Sequence, residues 1–222
     1  GCIANGIDEK TANKIYDEMT DFAKYAFNKS HAAAYAVVSY QTAWLKYYYP
    51  VEYMAALMTS VIDNPGKVAE YIYSCRQMGI KILPPDINHG YSSFSVDNGS
   101  IRYGLAAIKS IGRPVIKEIV AERKANGEFK NLKDFIERMS GKDINKRTIE
   151  NFIKSGAFDE LGGTRKQFMV IYVQILDQVN REKKNSMTGQ MSLFDIVGEE
   201  QKSEFDIPLP NVGEYEKSTK LA

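Results

Sequence analysis

The spacing of apolar residues along most of the chain is typical of amphipathic helices, which predicts a mainly α-helical fold. In the first long segment, for example, Ile15, Met19 and Phe22 recur at helical spacing. Asn64 followed by Pro65 indicates a helix start, because asparagine caps the first turn and proline needs no hydrogen bond there. The pattern predicts helices over 7–26, 30–49, 51–62, 65–78, 105–109, 113–126, 131–139, 145–154 and 164–183.

One short region instead has the pattern of strands. Two short strand-like runs, 94–96 and 101–103, flank Asn98-Gly99, which is a favoured hairpin turn. Residues before proline avoid the helical region, so the stretch preceding Pro84 is expected to be extended. The sequence therefore predicts one small β-hairpin as the only sheet of the chain.

This pattern divides the chain into three segments. Residues 1–103 are predicted to form a multi-helical segment with the small β-hairpin at its end, and residues 104–184 a second helical module. After Lys184 the helical period is lost, so 185–222 is expected to be a flexible acidic tail that acts as a linker. The chain begins with Gly1 and ends in this acidic stretch, so we expect it to be a piece of a longer protein.

The composition is that of a soluble globular protein, with 44% hydrophobic and 26% charged residues. No apolar run is long enough to span a bilayer, so no membrane association is expected. The net charge of +1 conceals a basic middle, because 102–184 holds 18 Lys and Arg against 11 Asp and Glu, whereas 185–222 holds 3 against 7. A basic middle favours a polyanion as partner, although a solvated basic surface would give the same count.

The most distinctive chemistry lies in residues 27–35, at a predicted helix start. Lys29, Ser30 and His31 place a cation, a hydroxyl and an imidazole beside the unpaired N–H groups of the first turn, where an anion is stabilised. Asn28 or Ser30 would cap this helix. The pattern indicates a phosphate-binding site, but a solvated polar face with an ordinary helix cap would produce it too.

The same region carries a resemblance to a known protein family. Residues 27–35 read FNKSHAAAY, 39–43 read SYQTA and 49–56 read YPVEYMAA. These segments resemble the fingers region of the alpha subunit of bacterial DNA polymerase III, a replicative polymerase in which the fingers face the incoming deoxynucleoside triphosphate. The resemblance implies that four residues contribute to the nucleotide pocket: Asn28, Lys29, Ser30 and His31.

Residues 105–120 in the basic middle resemble a helix-hairpin-helix motif. Two helices joined by a tight turn at Gly112 would expose backbone N–H groups that hold a DNA phosphate without reading the base sequence. The motif usually has glycine where Ser110 stands, so the turn is expected to be somewhat altered. An ordinary corner between two helices is the alternative. The residues expected to contact DNA are Lys109, Ser110, Ile111, Gly112, Arg113 and Lys117.

A second and weaker hairpin candidate runs over 145–159. The polymerase family carries paired hairpins in this region, and both 145–147 and 156–159 match its pattern. Without the resemblance, the segment would be interpreted only as a helix ended by glycine. The resemblance implies DNA contacts by Lys146, Arg147, Lys154 and Gly156.

A short peptide in the predicted tail resembles the motif by which bacterial proteins dock on the sliding clamp. It combines an amide with two adjacent large apolar side chains, in a segment that cannot build a core of its own. An amphipathic turn that folds back on its own domain is the alternative. The expected clamp-binding residues are Gln190, Met191, Leu193 and Phe194.

Some chemistry is missing from the sequence. DNA synthesis needs carboxylates that hold two Mg²⁺ ions, and no Asp-x-Asp occurs in the chain, so no cofactor is expected here and Mg²⁺ is implied only for the full-length enzyme. By itself the chain is expected not to polymerise. Cys2 and Cys75 match no metal-ligand spacing and favour reduced thiols in a cytoplasmic protein.

The resemblance therefore implies a fragment of a DNA-directed DNA polymerase, in which 1–103 is the C-terminal part of the fingers, 104–184 a tandem helix-hairpin-helix DNA-binding module and 185–222 a linker with the clamp-binding peptide. Its expected partners are duplex primer-template DNA, a deoxynucleoside triphosphate, the sliding clamp and other replicase subunits. One alternative is a non-enzymatic DNA-binding adaptor that combines the hairpins with a clamp-docking peptide. A weaker alternative is a purely structural helical scaffold.

Overall fold

The computed structural model describes residues 1–25, 28–187 and 207–221. The chain forms two compact units, Gly1–Pro50 and Val51–Ala222. The first unit contains a 3-10 turn at Ile3–Asn5 and two long helices, α1 at Glu9–Tyr25 and α2 at Lys29–Tyr48. None of the side chains described in this unit is buried.

The second unit begins with two helices and a small sheet that share one hydrophobic cluster. Helix α3 spans Pro50–Ser60 and α4 spans Pro65–Gln77. As the sequence predicts, α4 starts with Pro65 after Asn64, whose side chain accepts a hydrogen bond from the Lys67 N–H at 3.1 Å. The buried residues of this cluster are Met54, Ala55, Met58, Ile62, Val68, Cys75, Ile80, Phe94 and Ile101.

The sheet has one strand more than the predicted hairpin. Strands β2 at Ser95–Asp97 and β3 at Ser100–Arg102 form the hairpin, and β1 at Ile82–Leu83 pairs in parallel with β3. Asn98 and Gly99 both have positive φ, at 48° and 75°, as the tight hairpin turn requires. The pairing of β1 is non-local, so the sequence pattern indicates only an extended stretch there.

The rest of the second unit is a helical module around a second cluster. A 3-10 turn at Leu105–Ala107 is followed by α5 at Arg113–Asn126, α6 at Leu132–Met139, α7 at Lys146–Ser155 and α8 at Arg165–Met187. The helix predicted over 105–109 is therefore only the short turn. Phe135 lies at the centre, with ring centroids 4.9 Å from Phe158 and 5.0 Å from Phe129. Each such buried aromatic ring contributes about 1.5–3 kcal/mol to folding.

The described end of the chain contacts the helical module, which the sequence does not indicate. Residues 207–221, here called the strap, run along the helical module and end in a short helix, α9, at Lys217–Leu221. Ile207 packs against the second cluster, and the Gln167 side-chain amide donates to the Pro210 carbonyl at 3.0 Å. Before α9 the strap has no regular secondary structure and is held by non-local contacts, which leave no periodic pattern; the linker role stays a prediction.

The fold class is confirmed as mainly helical with one small sheet and a hairpin module. The functional boundaries predicted at residues 103 and 184 stay predictions. Among the described residues, no helix is both long enough and apolar enough to cross a membrane.

Candidate nucleic-acid interface

The turn before α5 keeps the backbone shape of a glycine-containing hairpin although it carries a serine. Ser110 has φ +64°, the left-handed conformation that glycine adopts most easily. Ile108 and Ile111, which flank Lys109 and Ser110 in the chain, are buried and anchor the turn to the hydrophobic core. The left-handed conformation at Ser110 costs about 1–2 kcal/mol of backbone strain, and the turn geometry is retained.

The start of α5 has no side-chain cap. Gly112 is its N-cap residue and offers no side chain, and Pro114 follows in the first turn. The starts of α4 and α7 differ, since Asn64 and Asn145 each accept a hydrogen bond from a backbone N–H of the first turn. Of the helices α4, α5 and α7, only α5 therefore leaves the N–H groups and partial positive charge of its first turn available to an external acceptor.

Exposed cations surround this turn. Lys109 and Lys117 are exposed and have no carboxylate partner among the described residues. Arg113 lies 3.0 Å from Asp63, with 62% and 83% of the two side chains exposed. An ion pair this exposed is worth at most about 1 kcal/mol, so a phosphate could replace Asp63 as the partner of Arg113 at small cost.

Helix α7 joins the same surface through two hydrogen bonds. The Arg147 guanidinium donates to the Ser110 hydroxyl at 3.3 Å, and the Asn151 amide donates to the Lys109 carbonyl at 3.1 Å. Arg147 and Asn151 are one helical turn apart, so both face the hairpin turn. Asn151 was not among the residues predicted from the sequence, although its spacing from Arg147 could have indicated it. We call the group Lys109, Ser110, Gly112, Arg113, Lys117 and Arg147 the first-hairpin surface.

The second hairpin is built differently, because its cations already have partners. Lys146 lies 3.4 Å from Asp177, and Lys154 lies 2.5 Å from Glu150 on the same helix. The hydrogen bond and charge of Glu150 raise the pKa of Lys154. Most of the positive charge predicted to meet DNA here is therefore balanced within the protein.

Gly156 lies at the centre of the second hairpin and is buried. It ends α7 with φ +84°, and a Cβ atom at this position would lie 2.1 Å from the Arg165 guanidinium. Glycine is therefore required for the close approach of Arg165. The predicted DNA contact at Gly156 stays a prediction.

Arg165 closes the second hairpin, a role that the sequence did not indicate. Its guanidinium donates to both carboxylate oxygens of Asp159, at 2.9 and 2.8 Å, and to the Lys154 carbonyl at 3.0 Å. The bond to Asp159 raises the pKa of Arg165 despite burial. These partners become neighbours only once α7 and α8 have formed, so spacing alone could not have identified them.

A buried charge network ties the first hairpin to α6. Glu122 of α5, with its side chain 12% exposed, pairs with Arg138 at 3.2 Å and also with Lys142. The hydrogen bonds from Lys142 and Asn126 are the main reason that the pKa of Glu122 falls to about 2. These ion pairs hold α5 against the end of α6 and thereby orient the first-hairpin surface.

In the first unit, the predicted helix cap is confirmed. The Asn28 side chain accepts a hydrogen bond from the Ser30 N–H at 2.9 Å, and α2 begins at Lys29. Lys29, Ser30 and His31 are exposed, and the His31 ring stacks on Tyr35 with centroids 4.3 Å apart. These contacts define the helix start and leave the nucleotide role a prediction.

Two other predicted features are not represented by described residues. The clamp-binding residues Gln190, Met191, Leu193 and Phe194 lie outside the described residues, as does Phe27. Among the residues that are described, no three His, Cys, Asp or Glu side chains are grouped so that they could hold a metal ion.

A family model described as a helix-hairpin-helix motif matches residues 79–168. This range contains the first-hairpin surface and the second hairpin up to Arg165. The helical module therefore belongs to the helix-hairpin-helix class, as the residues around Gly112 predict.

Curated proteins that are similar to this chain are longer than it. DNA polymerase III subunit alpha of Escherichia coli (strain K12) is 46% identical over 201 residues, which are 90% of this chain and 17% of that protein. The Vibrio cholerae subunit is 45% identical over 89% of this chain, and the Mycobacterium leprae subunit is 39% identical over 100% of it, or 17% and 19% of those proteins. The chain is thus homologous to one segment of DNA polymerase III alpha subunits and spans less than a fifth of their length.

Proposed function

We propose that this chain is the segment of a cytoplasmic replicative DNA polymerase that holds duplex DNA behind the site of synthesis. The observation that carries the proposal is the first-hairpin surface: an uncapped helix start at Gly112, flanked by the exposed Lys109 and Lys117, within a helix-hairpin-helix match. Homology to DNA polymerase III alpha subunits over 90% of the chain supports the polymerase context.

The proposed mode of binding uses the DNA backbone. The N–H groups at the start of α5 donate to one phosphate, while Lys109 and Lys117 neutralise its neighbours. None of these groups reads a base edge, so affinity should be independent of sequence. Such binding suits an enzyme that moves along its template.

A duplex titration of the 222-residue chain tests this proposal. Affinity should fall linearly with salt on logarithmic axes, with a slope near −0.9 for each phosphate contacted. Two duplexes of unrelated sequence should bind within about threefold of each other. Undetectable binding at about 50 mM salt, or a strong sequence preference, would contradict it.

We further propose that Asn28, Lys29, Ser30 and His31 contribute to the pocket for the incoming nucleotide. The support is the exposure of Lys29, Ser30 and His31 at the start of α2 together with the homology. Lys29→Ala or His31→Ala in the full-length polymerase should raise KM for the nucleotide, because a phosphate contact is lost. Lys10→Ala, a change at an exposed lysine of α1, is the control. An unchanged KM in both pocket variants would remove this assignment.

The clamp tether is proposed on sequence alone. Gln190, Met191, Leu193 and Phe194 would dock in an apolar groove of the sliding clamp. Leu193→Ala combined with Phe194→Ala should abolish clamp binding and leave duplex affinity unchanged. Clamp binding that survives this double change would show that another segment makes the contact.

A further inference from the structure

The strap and the start of α8 enclose a cleft that neither the sequence nor the comparisons assign. Its volume is about 410 Å³, and its lining residues are Arg165, Tyr215, Lys217 and Lys220. Three of the four carry positive charge. Two of the cations come from the strap and one from α8, about 50 residues earlier, so the cleft exists only when the strap is docked.

Glu214 fastens the strap at this point. Its carboxylate accepts hydrogen bonds from the backbone N–H groups of Arg165 and Lys166, both at 3.3 Å. Burial opposes ionisation, but these bonds, the Tyr215 N–H and the Lys220 ammonium lower the pKa of Glu214 to about 2. Glu214 is therefore a carboxylate that caps the first turn of α8 and holds the strap in place.

The charges in the cleft do not cancel. Arg165 pairs with Asp159 at 2.8 Å, and Lys220 pairs with Glu214 at 3.0 Å. Lys217 is exposed and has no carboxylate partner among the described residues. The Lys166 ammonium adds a further cation beside the cleft, 6.0 Å from the centre of the Tyr215 ring. An anion entering the cleft would meet Lys217, which has no described carboxylate partner, and two cations that are already paired, Arg165 and Lys220.

We propose that this cleft binds a backbone phosphate of the duplex, which makes the strap a further DNA-contacting element beside the first-hairpin surface. The inference rests on the proposed duplex binding. Arg165 connects the cleft to the second hairpin through the Lys154 carbonyl, so a phosphate there lies on the same module as the helix-hairpin-helix match. Glu214 is a positioning residue, because it brings Lys217 and Lys220 to the cleft.

The salt dependence of duplex binding tests the role of Lys217. Lys217→Gln should weaken binding about fivefold to tenfold at 0.1 M salt and reduce the salt slope by about one, because one phosphate contact is lost. The control is Lys81→Gln, the same change at an exposed lysine beside the sheet, which should leave the slope unchanged. An unaltered slope in Lys217→Gln overturns the proposal.

Two glutamate variants distinguish the effect of positioning the strap from the effect of removing one negative charge near the cleft. Glu214→Ala should weaken duplex binding, because the strap is released and the cleft is lost. Glu216→Ala removes the same charge from an exposed neighbour with no side-chain contact described, and should strengthen binding slightly. If Glu214→Ala instead strengthens binding, the carboxylate competes with DNA and the proposal is wrong. A thermal melt of each variant shows that the core is retained, since Glu214 lies outside both clusters.

Inorganic phosphate distinguishes the source of the ligand. The amide resonance of Lys217 should shift on addition of duplex, but not on addition of inorganic phosphate at equal ionic strength. A shift caused by inorganic phosphate alone would overturn the assignment to duplex. If the wild-type chain binds no duplex, the proposed function itself is wrong. If the wild-type chain binds duplex and Lys217→Gln binds it equally well, only the proposed role of the cleft is wrong.

Discussion

The two hairpins of this module differ in how their lysines are partnered. In the first, the helix after the turn starts at Gly112 without a cap, and Lys109 and Lys117 have no carboxylate partner among the described residues. In the second, the cap of α7 comes from Asn145, and Lys146 and Lys154 are already paired. The first hairpin therefore leaves N–H groups without a side-chain cap and lysines without a described carboxylate partner, whereas the lysines of the second hairpin each have a carboxylate neighbour.

A substitution in the hydrophobic core that the two hairpins share should lower the stability of both, and this is the largest of the expected effects. Phe135→Ala should destabilise the module by about 3–5 kcal/mol, because its ring lies among Phe129, Phe152 and Phe158. Denaturant unfolding measures the change. Val170→Ala on the exposed side of α8, where the side chain is 50% exposed, should change stability by less than about 0.5 kcal/mol. Similar losses in the two variants would contradict the assigned core.

The Glu122 network should stabilise the first hairpin in a pH-dependent manner. Glu122→Gln should cost about 1–3 kcal/mol at pH 7, since the bonds to Lys142 and Arg138 lose their charge. The folded pKa of about 2 lies below the ordinary value of 4.5, so the stabilisation is present above pH 4.5 and is lost as pH falls toward 2. The difference in unfolding free energy between wild type and variant should shrink over that interval. A difference that does not depend on pH would exclude ionised Glu122 as the cause.

Substitutions at Ser110 should sharpen the comparison of the turns. Ser110→Gly should keep duplex affinity and change stability by less than about 1 kcal/mol, because glycine accepts the positive φ. Ser110→Val should cost about 1–2 kcal/mol, since a β-branched residue is strained there. Thermal melts and duplex titrations distinguish the two. Equal stability of the two variants would mean that the left-handed turn is not maintained in solution.

The smallest expected effect compares two adjacent cations of α7. Arg147→Gln should weaken duplex binding about threefold to tenfold, because Arg147 belongs to the first-hairpin surface. Lys146→Gln should weaken binding less than Arg147→Gln does, since Asp177 competes with phosphate for Lys146. Fluorescence anisotropy at 0.1 M salt measures both. A larger loss in Lys146→Gln would reverse the ranking of the two hairpins.

Local signals were sufficient for most of the helices and for the first hairpin. The bounds of α5 at Arg113–Asn126 agree with the prediction, because Gly112 and Pro114 mark its start and Gly127 its end. The capping roles of Asn28, Asn64 and Asn145 follow from the same local chemistry. The pair of Glu150 and Lys154 could also have been inferred, since the residues are one helical turn apart.

The features that the sequence did not indicate depend on distant contacts. Strand β1 pairs with β3 across about 20 residues, and Glu214 reaches an α8 start nearly 50 residues away. The neutralisation of Lys146 by Asp177 also requires α7 and α8 to be packed together. The distribution of charge along the sequence therefore indicates a basic module, but it does not show which of its cations lack a carboxylate partner in the fold.

The most direct test of this contrast is the salt slope of duplex binding in two double variants. Lys109→Gln with Lys117→Gln removes two cations that have no carboxylate partner among the described residues, and should lower the slope by about two. Lys146→Gln with Lys154→Gln removes the same charge from paired positions and should lower it by less than about one. Equal reductions, or a larger reduction in the second variant, would contradict the claim that the first hairpin is the main phosphate-binding surface.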